Sequence, residues 1–278
     1  MRRGTGLWTL RKSLRDSRKR PQPLLLLSAR EKSPKCVTHV PGPICYLSPR
    51  SYKVFDRGLA LTPTQLDLIE FKAVTFLAQG DLAGARAVLK AVPSEIAPAA
   101  LVAYMANYGD LVWLLDDGQR ELLLRLTPSA FDGDRGIWAL CLAEAAAIGT
   151  DQSGVRTHAE EARKAFEAQI HEKPQDAQRH ASLGLALAYL DRKEEAIREG
   201  EQAVSLEPVT RNAVDGPYNQ HQLARIYTLV GEPEKALDQL EPLLKIPYWL
   251  SPAWLRIDPN FDPLRDNPRF QKLVATPK

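Results

Sequence analysis

From Thr62 onward the chain is written in a helical period, with apolar residues recurring three and four positions apart among Ala, Leu, Glu, Arg and Gln. The apolar and polar alternation of a half-buried strand is almost absent. Gly, Pro or Asp breaks the pattern every 12 to 20 residues, the spacing of short amphipathic helices joined by tight turns. The pattern predicts an all-α fold. Such a series of helices can form a bundle or a solenoid, and self-similarity at a fixed period separates the two.

That self-similarity is clearest from Ala177 to Pro208, where Leu183, Gly184, Ala196, Ala203 and Pro208 occupy offsets 7, 8, 20, 27 and 32. Small residues at Gly184 and Ala196 suit a point where two helices cross closely, and Pro208 stops the second helix. The next unit repeats the scheme with Leu223, Ala224, Tyr227, Gly231, Ala236 and Leu240, after a loop inserted around Val209 to Pro217. Upstream, Phe76, Gly80, Ala85 and Leu89 fit a first unit. Trp138, Cys141 and Gly149 fit another, completed by Ala162, Phe166 and Pro174 once about eight residues are allowed after Gly149. Between them, Ala99 to Tyr108 and Asp110 to Leu126 read as a helix pair without a clean signature, and Asp116 and Asp117 just before Gly118 read as a break or exposed corner in the second.

These residues resemble the tetratricopeptide repeat family over about residues 62–245. The resemblance implies a right-handed superhelical solenoid of about five antiparallel helix hairpins, each hairpin burying its apolar face against its neighbours. Residues 51–246 are assigned to the repeats and 247–278 to a C-terminal capping segment. In that segment Asp258-Pro259, Asp262-Pro263 and Asn267-Pro268 each set Asp or Asn as a cap before a Pro suited to the first helical turn, so all three read as helix starts. Trp249, Trp254, Phe261, Leu264, Phe270 and Leu273 are expected to cover the open end of the last hairpin. The segment from about Pro247 to Ala275 is similar to the closing segment of repeat arrays in bacterial signalling proteins, many of which carry a kinase, a cyclase or a winged-helix domain.

The resemblance implies a protein- or peptide-binding scaffold that binds on its concave face, lined by offsets 2, 5, 9, 12 and 13 of each first helix. The candidate groove residues are Asp67, Glu70 and Val74 in the first unit, Gln178, Leu185 and Tyr189 in the unit from Ala177, and Tyr218, His221 and Arg225 in the unit from Pro217. The branch of the family that clamps the C-terminal carboxylate of chaperones needs Lys at offset 5 and Asn at offset 9. Glu70 and Val74, Ala181 and Leu185, and His221 and Arg225 do not match it. The alternative function is a sensory or regulatory module of a bacterial signalling system whose output domain lies elsewhere.

Charge divides the chain in two. Residues 1–50 hold twelve Lys or Arg against Asp16 and Glu31 alone, while residues 51–278 are net negative. Six prolines among these charges leave no apolar period, so a disordered basic leader is expected. Nucleic acid or an anionic membrane surface enters as a partner only through this leader. Its apolar run, Leu24 to Leu27, is too short for a secretory core or a membrane span. Cys36, Cys45 and Cys141 are too few and too irregular for a disulfide framework, which favours the cytoplasm, or an extracytoplasmic site if a membrane segment precedes this chain.

Motifs for chemistry are missing from the sequence. It holds no phosphate-binding glycine loop, no nucleophile elbow and no H-E-x-x-H, and Cys36, His39 and Cys45 give three of the four ligands a zinc site needs. Asp132, Gly133 and Asp134 read as a turn capping the helix that starts near Arg135 rather than as a calcium loop. No enzyme activity, cofactor, metal or small-molecule substrate is expected.

Overall fold

The computed structural model describes residues 51–108 and 110–275, all within one unit that spans Pro41–Lys278, and among them every regular element is helical. The leader, and with it Cys36, His39 and Cys45, lies outside the described residues. Helix α1 covers Ser51–Leu61, α2 Leu66–Ala78, α3 Leu82–Lys90 and α4 Pro98–Asn107. After two short 3-10 helices, Val112–Leu114 and Pro128–Phe131, with α5 (Asp117–Leu123) between them, come the longer helices. These are α6 Arg135–Ile148, α7 Gln152–Glu172, α8 Ala177–Tyr189, α9 Lys193–Leu206, α10 Asp215–Leu229 and α11 Pro233–Leu243. The chain ends in α12 (Pro252–Ile257), a 3-10 helix over Pro259–Leu264 and α13 (Pro268–Val274).

Consecutive helices pair as α2 with α3, α6 with α7, α8 with α9 and α10 with α11. One turn joins all four pairs. Gly80, Thr150, Asp191 and Gly231 each adopt a left-handed backbone, with φ of 78°, 60°, 61° and 74°. In each case the next amide bonds back five residues: Asp81 to Phe76, Asp151 to Ala146, Arg192 to Leu187 and Glu232 to Tyr227, at 2.8–3.0 Å. This pairing closes off the end of the first helix and satisfies its last carbonyls. Asp81 and Asp151 then cap the second helix by accepting from the amides of Gly84 and Gly154. The positive φ falls on Thr150, one residue after the Gly149 that the sequence pattern marks as the turn.

The stretch from Asp110 to Leu126 breaks where Asp116 and Asp117 before Gly118 suggest, and the part ahead of the break is a 3-10 turn instead of an α-helix. Asp110 is left-handed (φ 54°), and Asp116 starts a new helix through a capping box with Gln119, so the stretch is cut into a 3-10 turn and the short α5. The Asp132 to Asp134 turn is as expected: Asp132 has φ 54° and Asp134 caps α6 by accepting from the amides of Gly136 and Ile137. Asp258 and Asn267 likewise cap the elements that follow them and Ser251 caps α12, whereas Asp262-Pro263 opens no helix and falls inside the 3-10 helix that Asp258 starts.

The C-terminal segment does more than cover the last hairpin. Arg269 binds Glu234, Asp238 and Glu241 of α11 at 2.7–3.2 Å, which seats α13 on that hairpin. Upstream of it, α12 packs on α2 of the first hairpin: Ser251 Oγ donates to the Ala78 carbonyl at 2.6 Å, and Ala253 closes on Gly80. Trp254 meets Trp113 edge to face at 5.8 Å. Leu250, Trp254, Leu255, Phe261, Leu264 and Phe270 are buried in the same core as α2, α4 and α10. The segment 247–275 is therefore continuous with the core of the helices before it. Sequence alone placed it at one end because its apolar residues carry no label for the surface they meet.

Candidate functional site

Helices α2, α4, α6, α8 and α10 lie side by side in sequence order, and the C-terminal segment joins α10 back to α2. Where they face one another the interior turns polar. Arg225, 3% exposed, projects from α10 into this region. Its Nη1 donates to both carboxylate oxygens of Asp110 at 2.9–3.0 Å and to Gln222 Oε1 at 2.9 Å, and its Nη2 donates to Glu144 Oε1 at 2.6 Å. Gln222 Nε2 donates to Asp110 at 2.7 Å. The left-handed turn at Asp110 gives its carboxylate this position at the head of the 3-10 helix.

The C-terminal segment completes the cluster. Asp258, 1% exposed, accepts from Trp254 Nε1 at 2.9 Å and from the amide and side chain of Asn260 at 2.9 and 2.8 Å. Asn260 Oδ1 stands 3.5 Å from Arg225 Nη2. A cavity of about 10 Å³, about the space of one water, lies between Arg225, Asp110, Asp258 and Asn260. Tyr218, His221 and three tryptophans, Trp113, Trp249 and Trp254, form its remaining wall. Arg225 Nε is buried with no bonding partner among the described residues. His221 is 6% exposed, stacks on Phe261 with centroids 5.9 Å apart and shares a hydrogen bond of 3.1 Å between Nδ1 and the Tyr248 hydroxyl.

Burial decides the protonation of these groups. It works against the charge on Arg225, but the carboxylates of Asp110 and Glu144 outweigh it and hold the guanidinium pKa well above its ordinary value. Burial raises the Glu144 carboxyl to about 7, against the lowering pull of Arg225. It raises Asp258 as well, against the hydrogen bonds from Trp254 and Asn260. The Cys141 thiol, next to the cluster on α6, is pushed up by burial and by Glu144, so it supplies no thiolate nucleophile.

The candidate residues are therefore distributed unevenly. Tyr218, His221 and Arg225 share the cavity, and the half-buried Tyr189 comes within hydrogen-bonding reach of Arg225. Asp67 and the buried Glu70 stand apart, beside the Tyr104 hydroxyl, whose pKa burial and these carboxylates raise. Val74 and Leu185, 5% and 3% exposed, are core residues, and Gln178 is half-buried on α8. Sequence reading missed Asp110, Glu144, Asp258 and Asn260. A signal existed for Glu144, the one charged residue in the apolar run from Ile137 to Ile148. Nothing local marks the other three as partners of Arg225.

Among the described residues no three His, Cys, Asp or Glu side chains are grouped to hold a metal, and no helix is long and apolar enough to cross a membrane. No family model matches this chain, and no curated protein matches it.

Proposed function

We propose that this chain is a tetratricopeptide-like helical scaffold that binds another protein or a peptide. The observation that carries the reading is the shared turn: four hairpins close through one residue in the left-handed conformation and the same five-residue back-bond, the last three at intervals of 41 and 40 residues. Repetition of one supersecondary unit is the mark of arrays whose role is to present a surface.

In the family this chain resembles, that surface is the inner face. Here much of the inner face is engaged by the chain's own C-terminal segment, and the half-buried positions Asp67, Gln178, Tyr189 and Tyr218 form its accessible part. A partner contacts this rim through mixed polar and aromatic side chains. The reading as a regulatory module of a signalling system draws support from the closing segment, where Ser251, Asp258 and Asn267 all cap helices that open with Pro.

Affinity capture tests the scaffold reading. Full-length chain is compared with a double variant, Asp67→Lys and Gln178→Arg, and with an outer-face control, Glu194→Lys, using circular dichroism to establish folding. A protein retained by the parent and the control but lost from the double variant supports inner-face binding. Identical captures from all three remove it.

A further inference from the structure

Four stretches of chain that are distant in sequence meet at one guanidinium. Arg225 comes from α10, Asp110 from the turn after α4, Glu144 from α6, and Asn260 with Asp258 from the C-terminal segment 247–275, the strap. The strap is also the element that joins the last hairpin to the first. We propose that Glu144 is a proton-operated latch for this strap: with the proton on, Arg225 holds the strap shut, and with the proton off, the hold loosens.

The geometry carries this as follows. Glu144 is 6% exposed and its bonded partner is Arg225, which is already committed in a two-oxygen contact to Asp110. The groups facing Glu144 are Arg225 from α10, Asp110 ahead of the 3-10 helix, Asp258 from the strap, Tyr189 from α8 and Cys141 from its own helix. Apart from Arg225 these are acids. An ionised Glu144 competes with Asp110 for the guanidinium and repels Asp258, in a region with space for about one water to screen them. Releasing the strap hydrates all three carboxylates.

The sign follows from linkage. Glu144 titrates at about 7 with the strap closed, above the ordinary 4.5 that it regains when hydrated. The closed form therefore binds the proton more tightly, and closure is favoured most below pH 4.5 and weakens as pH rises to about 7 and beyond. Between about pH 6 and pH 8 the opening constant rises about tenfold, then levels off. Asp258, also raised, acts in the same direction. This inference stands whether or not the chain is a binding scaffold.

Amide hydrogen exchange by mass spectrometry on the full chain tests it, reading protection factors for a peptide over residues 249–262 against one from α9. In the parent the strap's protection falls about tenfold from pH 6 to pH 8 while α9 stays level. Glu144→Gln, which keeps a side-chain oxygen for Arg225, flattens the strap's profile. Asp258→Asn removes one of the repelling charges and moves the transition to lower pH. A flat parent profile overturns the latch, as does a Glu144→Gln profile as steep as the parent's. Should Glu144→Gln fail to fold, Asp258→Asn decides alone, and an unmoved transition overturns the proposal.

Discussion

Arg225 and Glu144, 81 residues apart in sequence, are joined at 2.6 Å in the interior, with 3% and 6% of their surface exposed. A buried charge pair of this kind adds little over an apolar pair, but removing one member strands the other. Arg225→Met leaves Glu144, Asp110 and Asp258 facing one another without their cation, and is expected to cost about 3–5 kcal/mol. Adding Glu144→Gln to it recovers part of that loss. Urea unfolding of the four proteins measures both, and a single-variant loss under about 1 kcal/mol would mean that the cluster does not hold these segments together.

The shared turn gives a prediction of opposite sign at two equivalent positions. Thr150 is β-branched and sits at φ 60°, where Cβ crowds the backbone, whereas Gly231 sits at φ 74° with no neighbouring atom within 4 Å of the place a Cβ would take. Thr150→Gly is expected to stabilise by about 1 kcal/mol and Gly231→Ala to destabilise by about 1 kcal/mol. Thermal unfolding of the two variants checks this. Equal signs would show that neighbouring contacts, not the left-handed backbone, set the energy of these turns.

Closure of the last hairpin onto the first is open to a direct test at Trp254. Its ring is 3% exposed, meets Trp113 edge to face and donates from Nε1 to Asp258. Trp254→Ala is expected to cost about 3–5 kcal/mol through the lost burial and the void. The informative readout is where protection is lost. Hydrogen exchange should quicken in α2, Leu66–Ala78, as much as in the strap, since the two are packed together. Loss confined to residues 247–275 would reduce the strap to a cap on α11 alone.

The parts legible in the sequence are those fixed by short-range chemistry. The hairpins from α6 to α11 follow from apolar periods bounded by Asp, Gly and Pro, and Asp134, Asp258 and Asn267 cap where their positions beside Gly or Pro suggest. Asp116 and Asp117 before Gly118 mark the break in the stretch from Asp110 to Leu126, but the 3-10 turn ahead of it was hidden because a run of Leu, Val and Trp is as compatible with an α-helix. The cluster was hidden for a different reason. Offsets within a repeat place His221 and Arg225 on the inner face, but periodicity cannot say that Asp110, Glu144 and Asn260 arrive there too. Those contacts span 35 to 115 residues and arise only once elements distant in the chain pack together.

Three helices crowd together at Gly184, and its neighbours differ in how far they can yield. A methyl group there would fall 2.6 Å from Ile226 Cδ1, 3.0 Å from the Ala196 carbonyl oxygen and 3.2 Å from the Gly200 nitrogen. Gly184→Ala gains about 1 kcal/mol of helix propensity. Overpacking sets about 1–3 kcal/mol against it, and here two of the three contacts are backbone that can move only with α9 itself. A net loss is expected. Ile226→Val deletes the nearest of the three atoms and alone costs about 0.5–1.5 kcal/mol. Combined with Gly184→Ala it should cost less than the sum, by at least about 0.5 kcal/mol, because the new methyl takes the volume that Cδ1 vacates. The double variant should still fall short of the parent, since the Ala196 and Gly200 contacts remain. Strict additivity in urea unfolding would mean that α8 and α10 do not share this space, and that the small residue at Gly184 answers to the backbone of α9 alone.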